Sequence, residues 1–368
     1  LSRQRAALLL AASLMAGMCS RRSTAPENLE PESPALNKVV MGYYPAWKKG
    51  VYDHSRIAYG NLTHIAHAFT KPDAEGRLIV DDDYLYPELV DAAHENGVKI
   101  LMSVGGWGNC EGFPGMAASA EARSRFISDV LEFLRTHHYD GVDIDWEYVS
   151  NAGEQQDYVL FVKELSAALR AESPPLELTM AGPSGPYWGS WINYEELVSS
   201  FDFIGVMTYD YHGQWSDHSG HNSPLYSCAG DTCGSWHDSF LYHISRNIPR
   251  EKLLLGLAFY GRSFDSSEFY QPFERSLEYG YDEIVELRDS GWIYFWDDCA
   301  HVPFLQKPDK SVVLSYDDER SIALKCRYVL EAGAGGVIIW ELTQDNVLGK
   351  PVLLERVGES FREDQKRF

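Results

Sequence analysis

The stretch Asp140-Gly141-Val142-Asp143-Ile144-Asp145-Trp146-Glu147-Tyr148 sets acids at every second position, 143, 145 and 147, of an otherwise apolar run. In a β-strand alternate side chains share a face, so the three carboxylates point one way and Val142, Ile144 and Trp146 the other. Acids crowded in a low-dielectric site cannot all ionise cheaply, so at least one is expected to keep its proton at neutral pH, as a general acid must. The competing reading is the solvated face of an antiparallel strand. The flanking sequence argues against it.

Outward from this run, short apolar segments alternate with amphipathic ones, the pattern of repeated β-α units around a parallel sheet. Eight strands are predicted, at 39–44, 62–69, 99–104, 141–146, 176–181, 203–208, 253–259 and 336–340. Helical stripes between them include Ile127, Val130, Leu131 and Leu134, then Tyr158, Phe161, Val162, Leu165 and Leu169. Eight such units predict an α/β fold, a (β/α)8 TIM barrel. Between the seventh and eighth strands the chain is longer than one helix requires. Residues 263–314 there, rich in Tyr, Phe, Trp and turn formers, predict a small α+β insertion that walls a groove, and Asp317 to Glu331 resumes a helix. Barrel sites lie at the carboxyl ends of strands, where Glu147 falls.

The 368 residues and 45% hydrophobic content easily supply a core. With 54 acidic against 32 basic side chains the net charge is −22, which opposes nucleic acid and anionic membranes and favours neutral or cationic ligands. The 10 Trp, 22 Tyr and 16 Phe are a heavy aromatic load, partly core and partly, where exposed in a groove, platforms that stack on the apolar faces of sugars.

At the amino terminus Arg3 and Arg5 precede an apolar run from Ala6 to Met18, of signal-peptide length and too short to span a bilayer. Cys19 follows Leu14-Met15-Ala16-Gly17-Met18, similar to a bacterial lipoprotein processing site, although Met18 departs from the usual small residue. Residues 1–19 are thus expected to be a signal and 20–37 a flexible tether. The folded domain is expected over 38–358 with a tail at 359–368. Secretion or cell-surface anchoring follows from this reading, with no integral membrane span. The molecule is expected to act as a monomer.

Without Cys19 five cysteines remain, an odd number. Cys228 and Cys233 bracket a turn-like stretch and are expected to form a local disulfide, Cys326 lies on a helical apolar stripe as a buried thiol, and Cys110 and Cys299 carry no local signal. No Cys-x-x-Cys zinc spacing occurs. His212, His218 and His221 cluster after the sixth strand but lack helical ligand spacing, and read as solvated loop histidines. His64 and His67 lie three apart on a strand and face opposite sides. Gly105-Gly106 lacks the Lys-Ser or Lys-Thr of a phosphate loop and reads as a tight turn. Neither a metal nor a cofactor is expected.

The run Asp140-Gly-Val-Asp143-Ile-Asp145-Trp-Glu147 resembles the Asp-x-x-Asp-x-Asp-x-Glu signature of glycoside hydrolase family 18 chitinases. Ser103-Val-Gly-Gly106-Trp107 resembles that family's Ser-x-Gly-Gly segment, and Met207-Thr-Tyr209-Asp210 its Met-x-Tyr-Asp. The resemblance runs from about Lys38 to Gly358. Ser315-Tyr-Asp-Asp-Glu-Arg-Ser321 and Gly335-Gly-Val-Ile-Ile-Trp340-Glu341 are similar to the branch with an extra α+β module. It implies a retaining chitinase acting on chitin or N-acetylchitooligosaccharides, with Glu147 as general acid and the substrate's 2-acetamido oxygen as nucleophile, an exception to the two-carboxylate scheme. Asp145 would hold the acetamido N–H, Tyr209 its carbonyl oxygen, and Asp143 would share a proton with Asp145. Asp140, out of phase, is structural.

The resemblance also implies that Trp340 floors the sugar at the cleavage point and that Asp210 bonds the distorted sugar. Tyr43, Phe69, Trp107, Tyr148, Met207, Tyr260 and Arg262 would line neighbouring subsites. The other readings are an endo-β-N-acetylglucosaminidase and a non-hydrolytic chitin-binding lectin. No separate carbohydrate-binding module is visible.

Overall fold

The computed structural model describes residues 35–231 and 233–363. The expected signal, and all of the tether before Ala35, lie outside the described residues. Strands β1 Val39–Pro45, β2 His64–Pro72, the short β3 Leu78–Ile79, β4 Lys99–Gly105, β5 Gly141–Asp145, β6 Glu177–Gly182, β7 Phe203–Val206 and β8 Leu253–Ala258 follow one another, with helical segments between all but β2 and β3, which a turn joins in an antiparallel pair. The last barrel strand is Gly336–Trp340. Each barrel strand pairs in parallel with its neighbours, and β1 closes the ring by pairing both with β2 (Met41 opposite His64) and with the last strand (Val39 opposite Gly336). All eight predicted strands form. Their ends shift: β2 runs on to Pro72, while β7 stops at Val206 and frees Met207 and Thr208 for the loop above.

The period-two pattern sorts side chains into two layers. Met41, Ala66, Leu101, Leu254 and Ile338 fill the barrel interior. Val142, Ile144 and Trp146 face outward, into the layer between the strands and helices such as Ala120–His137 and Ala152–Arg170. Burial of that layer gives most of the driving force, at about 25 cal/mol per Å² of apolar surface. The first of these helices starts where the Ser119 side chain accepts from the Ala122 N–H and stops where His138 turns left-handed. The second is capped by Asn151. Helix Val352–Glu363 crosses the boundary expected at Gly358 and buries Phe361, so the domain reaches further than a tail at 359–368 allowed. Among the described residues no helix is long and apolar enough to cross a membrane.

Beyond β8 the chain passes through the single residue Phe259 into β9 Tyr260–Phe264. With β10 Ser276–Gly280, β11 Ile293–Asp297, β12 Val302–Gln306 and β13 Val313–Ser315 this makes an antiparallel sheet in the order β10-β9-β13-β12-β11, making the Gly336–Trp340 strand β14. Helix Tyr281–Asp289 joins β10 to β11. The sheet begins at Tyr260 and ends at Ser315, slightly wider than 263–314. Phe259 is pinned on both sides: its N–H donates to the Trp340 carbonyl at 2.8 Å, and its carbonyl accepts from Tyr281 at 3.0 Å. Helix Glu319–Ala332 resumes after β13, and its fully buried Lys325 donates to Asp317 at 2.6 Å and to the Ser223 carbonyl at 2.6 Å.

Cys228 bonds to Cys299, across 71 positions of sequence and a Cα separation of 5.9 Å. The expected Cys228–Cys233 pairing is therefore wrong. The insertion brings Cys299 to the loop after β7, a proximity that local spacing cannot reveal. Cys326 is a buried thiol, as its helical stripe implied.

Candidate active site

Asp143 lies at the bottom of the acidic row, fully buried. Its Oδ2 accepts from the Tyr43 hydroxyl at 2.8 Å and the Ser103 hydroxyl at 2.9 Å, and its Oδ1 from Thr179 at 2.7 Å. Burial raises its pKa, and these three donors pull it back. Asp145, two residues up, is also buried, but its Oδ1 has no partner. Burial, then the charges of Glu147 and Asp143, push its pKa well above the carboxylate range. The solvated-face reading is excluded.

Glu147 stands just past the end of β5. Burial lifts its pKa to about 7, a hydrogen bond from Tyr148 opposes the rise, and the charge of Asp210 adds to it. Its backbone N–H meets the Cys110 sulfur at 3.2 Å. Asp140 faces away, accepting from the Ile100 N–H at 2.8 Å and from His94 at 2.9 Å, which is a structural role.

The β4 turn brings the chain close to this row. Gly105 (φ +111°) and Gly106 (φ +82°) take conformations that side chains resist, and a Cβ on Gly106 would lie 2.4 Å from the Phe69 ring. The Gly106 N–H donates to the Asp145 carbonyl at 2.8 Å. Gly105-Gly106 is the tight turn the sequence implied.

Aromatic rings floor the groove. Trp340 stacks on Phe69 (5.7 Å, 14°) and meets Tyr43 at 5.6 Å. Met207 packs between this group and Tyr209, Ala258 and Tyr260. The Tyr209 hydroxyl is held protonated by burial and by the charges of Asp145 and Glu147. Tyr148 stacks on Trp188 at 5.0 Å. Asp210 takes a left-handed φ of 60°, its N–H bonded to the Asn222 side chain, and its Oδ1 accepts from Tyr260 and from Arg262, each at 2.7 Å. Arg262 also pairs with Glu278 at 3.2 Å and lies 4.8 Å from the Trp215 ring. Trp107 is 79% exposed, free of the ring stack that gathers the others.

Several residues here escaped the sequence reading. Thr179 is one, and Ser103, matched only as part of its motif, carries no role there; both are polar positions on inward strand faces, which is a readable signal. Trp47, in the 3-10 turn Ala46–Lys48 and 6.1 Å from Phe69, Trp188, in the short helix Pro186–Gly189, and Trp215, on the loop after β7, lie where nothing in the spacing marks them. Two of the three loop histidines are not solvated: His212 and His221 are fully buried, since the insertion covers their loop, whereas His218 stays partly exposed. His64 and His67 do face opposite sides, toward Glu177 and Tyr139 respectively.

A closed parallel barrel, with buried acids climbing to the carboxyl end of its fourth strand beneath a walled, ring-lined groove, defines a barrel glycoside hydrolase. Comparison with known proteins makes the class specific. The profile of glycosyl hydrolases family 18 matches residues 39–345, and the chain belongs to that family.

It is 34% identical over 275 residues to a probable endochitinase of Caenorhabditis elegans, a match covering 68% of this chain and 44% of that protein. The chain thus spans less than half of that relative's length. Its fold matches the Ostrinia furnacalis Group IV chitinase in complex with allosamidin, with a TM-score of 0.82 and 26% identity over 89% of this chain and 99% of that one. It also matches a Cycas revoluta GH18 chitinase mutant in complex with (GlcNAc)4, with a TM-score of 0.80 and 25% identity over 88% and 99%.

Proposed function

We propose that this protein is a retaining chitinase that hydrolyses β-1,4-linked N-acetylglucosamine chains by substrate-assisted catalysis. The observation that carries the reading is the buried, unpartnered Oδ1 of Asp145 beside an acid whose pKa is about 7. A buried acceptor without a donor is costly, and an acetamido N–H supplies the donor. Asp143 is saturated by three hydroxyls and makes a poor nucleophile, so the bond-forming oxygen comes from the sugar itself.

In this mechanism Glu147 protonates the glycosidic oxygen while the acetamido oxygen closes on the anomeric carbon. Asp145 holds the acetamido N–H, and Tyr209 donates to its carbonyl oxygen. Water, deprotonated by Glu147, then opens the oxazolinium ring with net retention. Trp340 and Phe69 provide the stacking floor. Asp210, Tyr260 and Arg262 form the polar flank. The (GlcNAc)4 bound by the Cycas revoluta relative supports a linear N-acetylglucosamine substrate.

Glu147 disfavours a non-hydrolytic lectin, and the sheet that walls the groove favours a linear chain over the branched glycans of an endo-β-N-acetylglucosaminidase. Export belongs to the same proposal. The Cys228–Cys299 bond fits an oxidising compartment.

Hydrolysis of N-acetylchitooligosaccharides by Glu147→Gln is expected to fall by about 10²–10⁴-fold while binding is kept. Full activity in that variant removes the assignment. A first-released α-anomer, read by NMR, removes the retaining mechanism.

A further inference from the structure

The loop after β7 carries a group of side chains that hydrolysis does not use. His212 Nδ1 lies 3.0 Å from the His221 carbonyl, which can only accept, so Nδ1 carries the hydrogen. His218 Nδ1 is in close contact with the Asp217 carboxylate and is protonated for the same reason. On neutral rings both Nε2 atoms are then bare lone pairs. They point at each other across 3.3 Å.

Asp231 sets a carboxylate beside this pair, its Oδ1 3.7 Å from His212 Nε2 and accepting from the Cys233 N–H at 2.9 Å, with the side chain only 1% exposed and Oδ2 unpartnered. The Cys233 sulfur closes the group: with the two imidazoles it offers three donor atoms all within 4.8 Å of one another. Lone pairs and a buried carboxylate this close repel unless a cation lies between them. Two nitrogens bound about 2.0–2.1 Å from a tetrahedral ion stand roughly 3.3 Å apart. The observed gap has that value.

We propose that His212, His218, Asp231 and Cys233 form a structural site for a divalent ion of the zinc class. Four protein donors of mixed N, O and S character leave no open position, which marks a structural rather than a catalytic ion. The hydrogen bonds at both Nδ1 atoms are the outer support that orients ligating imidazoles. The donors come from one loop, 212–233, directly after Asp210. An ion there fixes the loop that carries Asp210 and Trp215 to the groove. His221, the third member of the histidine cluster, is not a ligand: its ring bonds to Ser315 and Asp297.

The test uses the full chain, purified with its disulfide intact, stripped with a chelator and titrated with Co²⁺. One equivalent is expected to bind with the visible bands of a four-coordinate thiolate site, and one equivalent of Zn²⁺ is expected to displace it. Cys233 is exposed, so Cys233→Ser leaves the core intact. It is expected to lose the sulfur charge-transfer band and to weaken binding at least tenfold, and His212→Asn to abolish it. No binding at micromolar free ion shows that a proton alone holds the two imidazoles together and overturns the site. A Cys233→Ser spectrum identical to wild type overturns it as well.

Discussion

Asp143 and Asp145 share a strand face yet live in different electrostatic worlds. Three hydroxyls bond Asp143, whereas Asp145 has a bare oxygen and two acidic neighbours. No hydrogen bond joins the two carboxylates in the structure: Asp143 is occupied by its three donors, and Asp145 Oδ1 is left bare. Glu147 sits above this pair with a pKa near 7. A general acid works only while protonated, so kcat/KM is expected to fall as pH rises through about 7. Asp210 raises that pKa by charge repulsion. Asp210→Asn removes the negative charge and releases Arg262, and both changes favour ionised Glu147. The alkaline limb of the pH profile is therefore expected to move to lower pH. A limb that stays put or moves up refutes the coupling. The acid face was legible because it needs only the two-residue period of one strand. The donors to Asp143 come from three other strands, and only ring closure brings them together.

At the scale of elements, the site depends on turns and ties. The β4 turn passes so close to Phe69 that one methyl group is too many: Gly106→Ala is expected to displace the ring from Trp340. It should raise KM for oligosaccharides several-fold and lower thermal stability, measured by steady-state kinetics and calorimetry. An unchanged KM would show that the floor tolerates the shift. The loop after β7 is tied down by the Cys228–Cys299 bond and by Lys325, held between Asp317 and Ser223. Cross-linking across 71 positions is worth about 4 kcal/mol in the chain-entropy account. Cys228→Ser should therefore lower the denaturant midpoint, and an unchanged midpoint would contradict the bond. Strand positions could be read from apolar spacing. The disulfide could not, because it joins a barrel loop to an inserted sheet whose docking leaves no trace in local sequence.

For the whole molecule, buried ionisable groups set how stability varies with pH. Asp345 rises from 3.8 to about 8, and Glu341 and Glu147 from 4.5 to about 7, each chiefly through burial. Between their ordinary and raised values the folded state holds more protons than the unfolded chain, so stability falls as pH rises. His67 and His243, buried with values lowered to about 3 and about 4, act the opposite way, but only below their ordinary 6.5. The carboxylates drawn down to about 2, Glu177 and Asp297, titrate far below this range. The guanidinium midpoint is thus expected to drop between pH 6.5 and pH 8, and a rise there would contradict the burial of these acids. The barrel itself was legible in eight recurring apolar runs. How the insertion covers the histidine loop was not, since burial there comes from contacts distant in sequence. Phe259, the lone residue between β8 and β9, carries a mechanical consequence. With its N–H and carbonyl both committed, it offers no pivot, so wall and floor move as one piece. The groove is a fixed slot rather than a jaw, and the proposed substrate is expected to enter it by threading or sideways docking. The radius of gyration in solution scattering should be the same with and without that substrate.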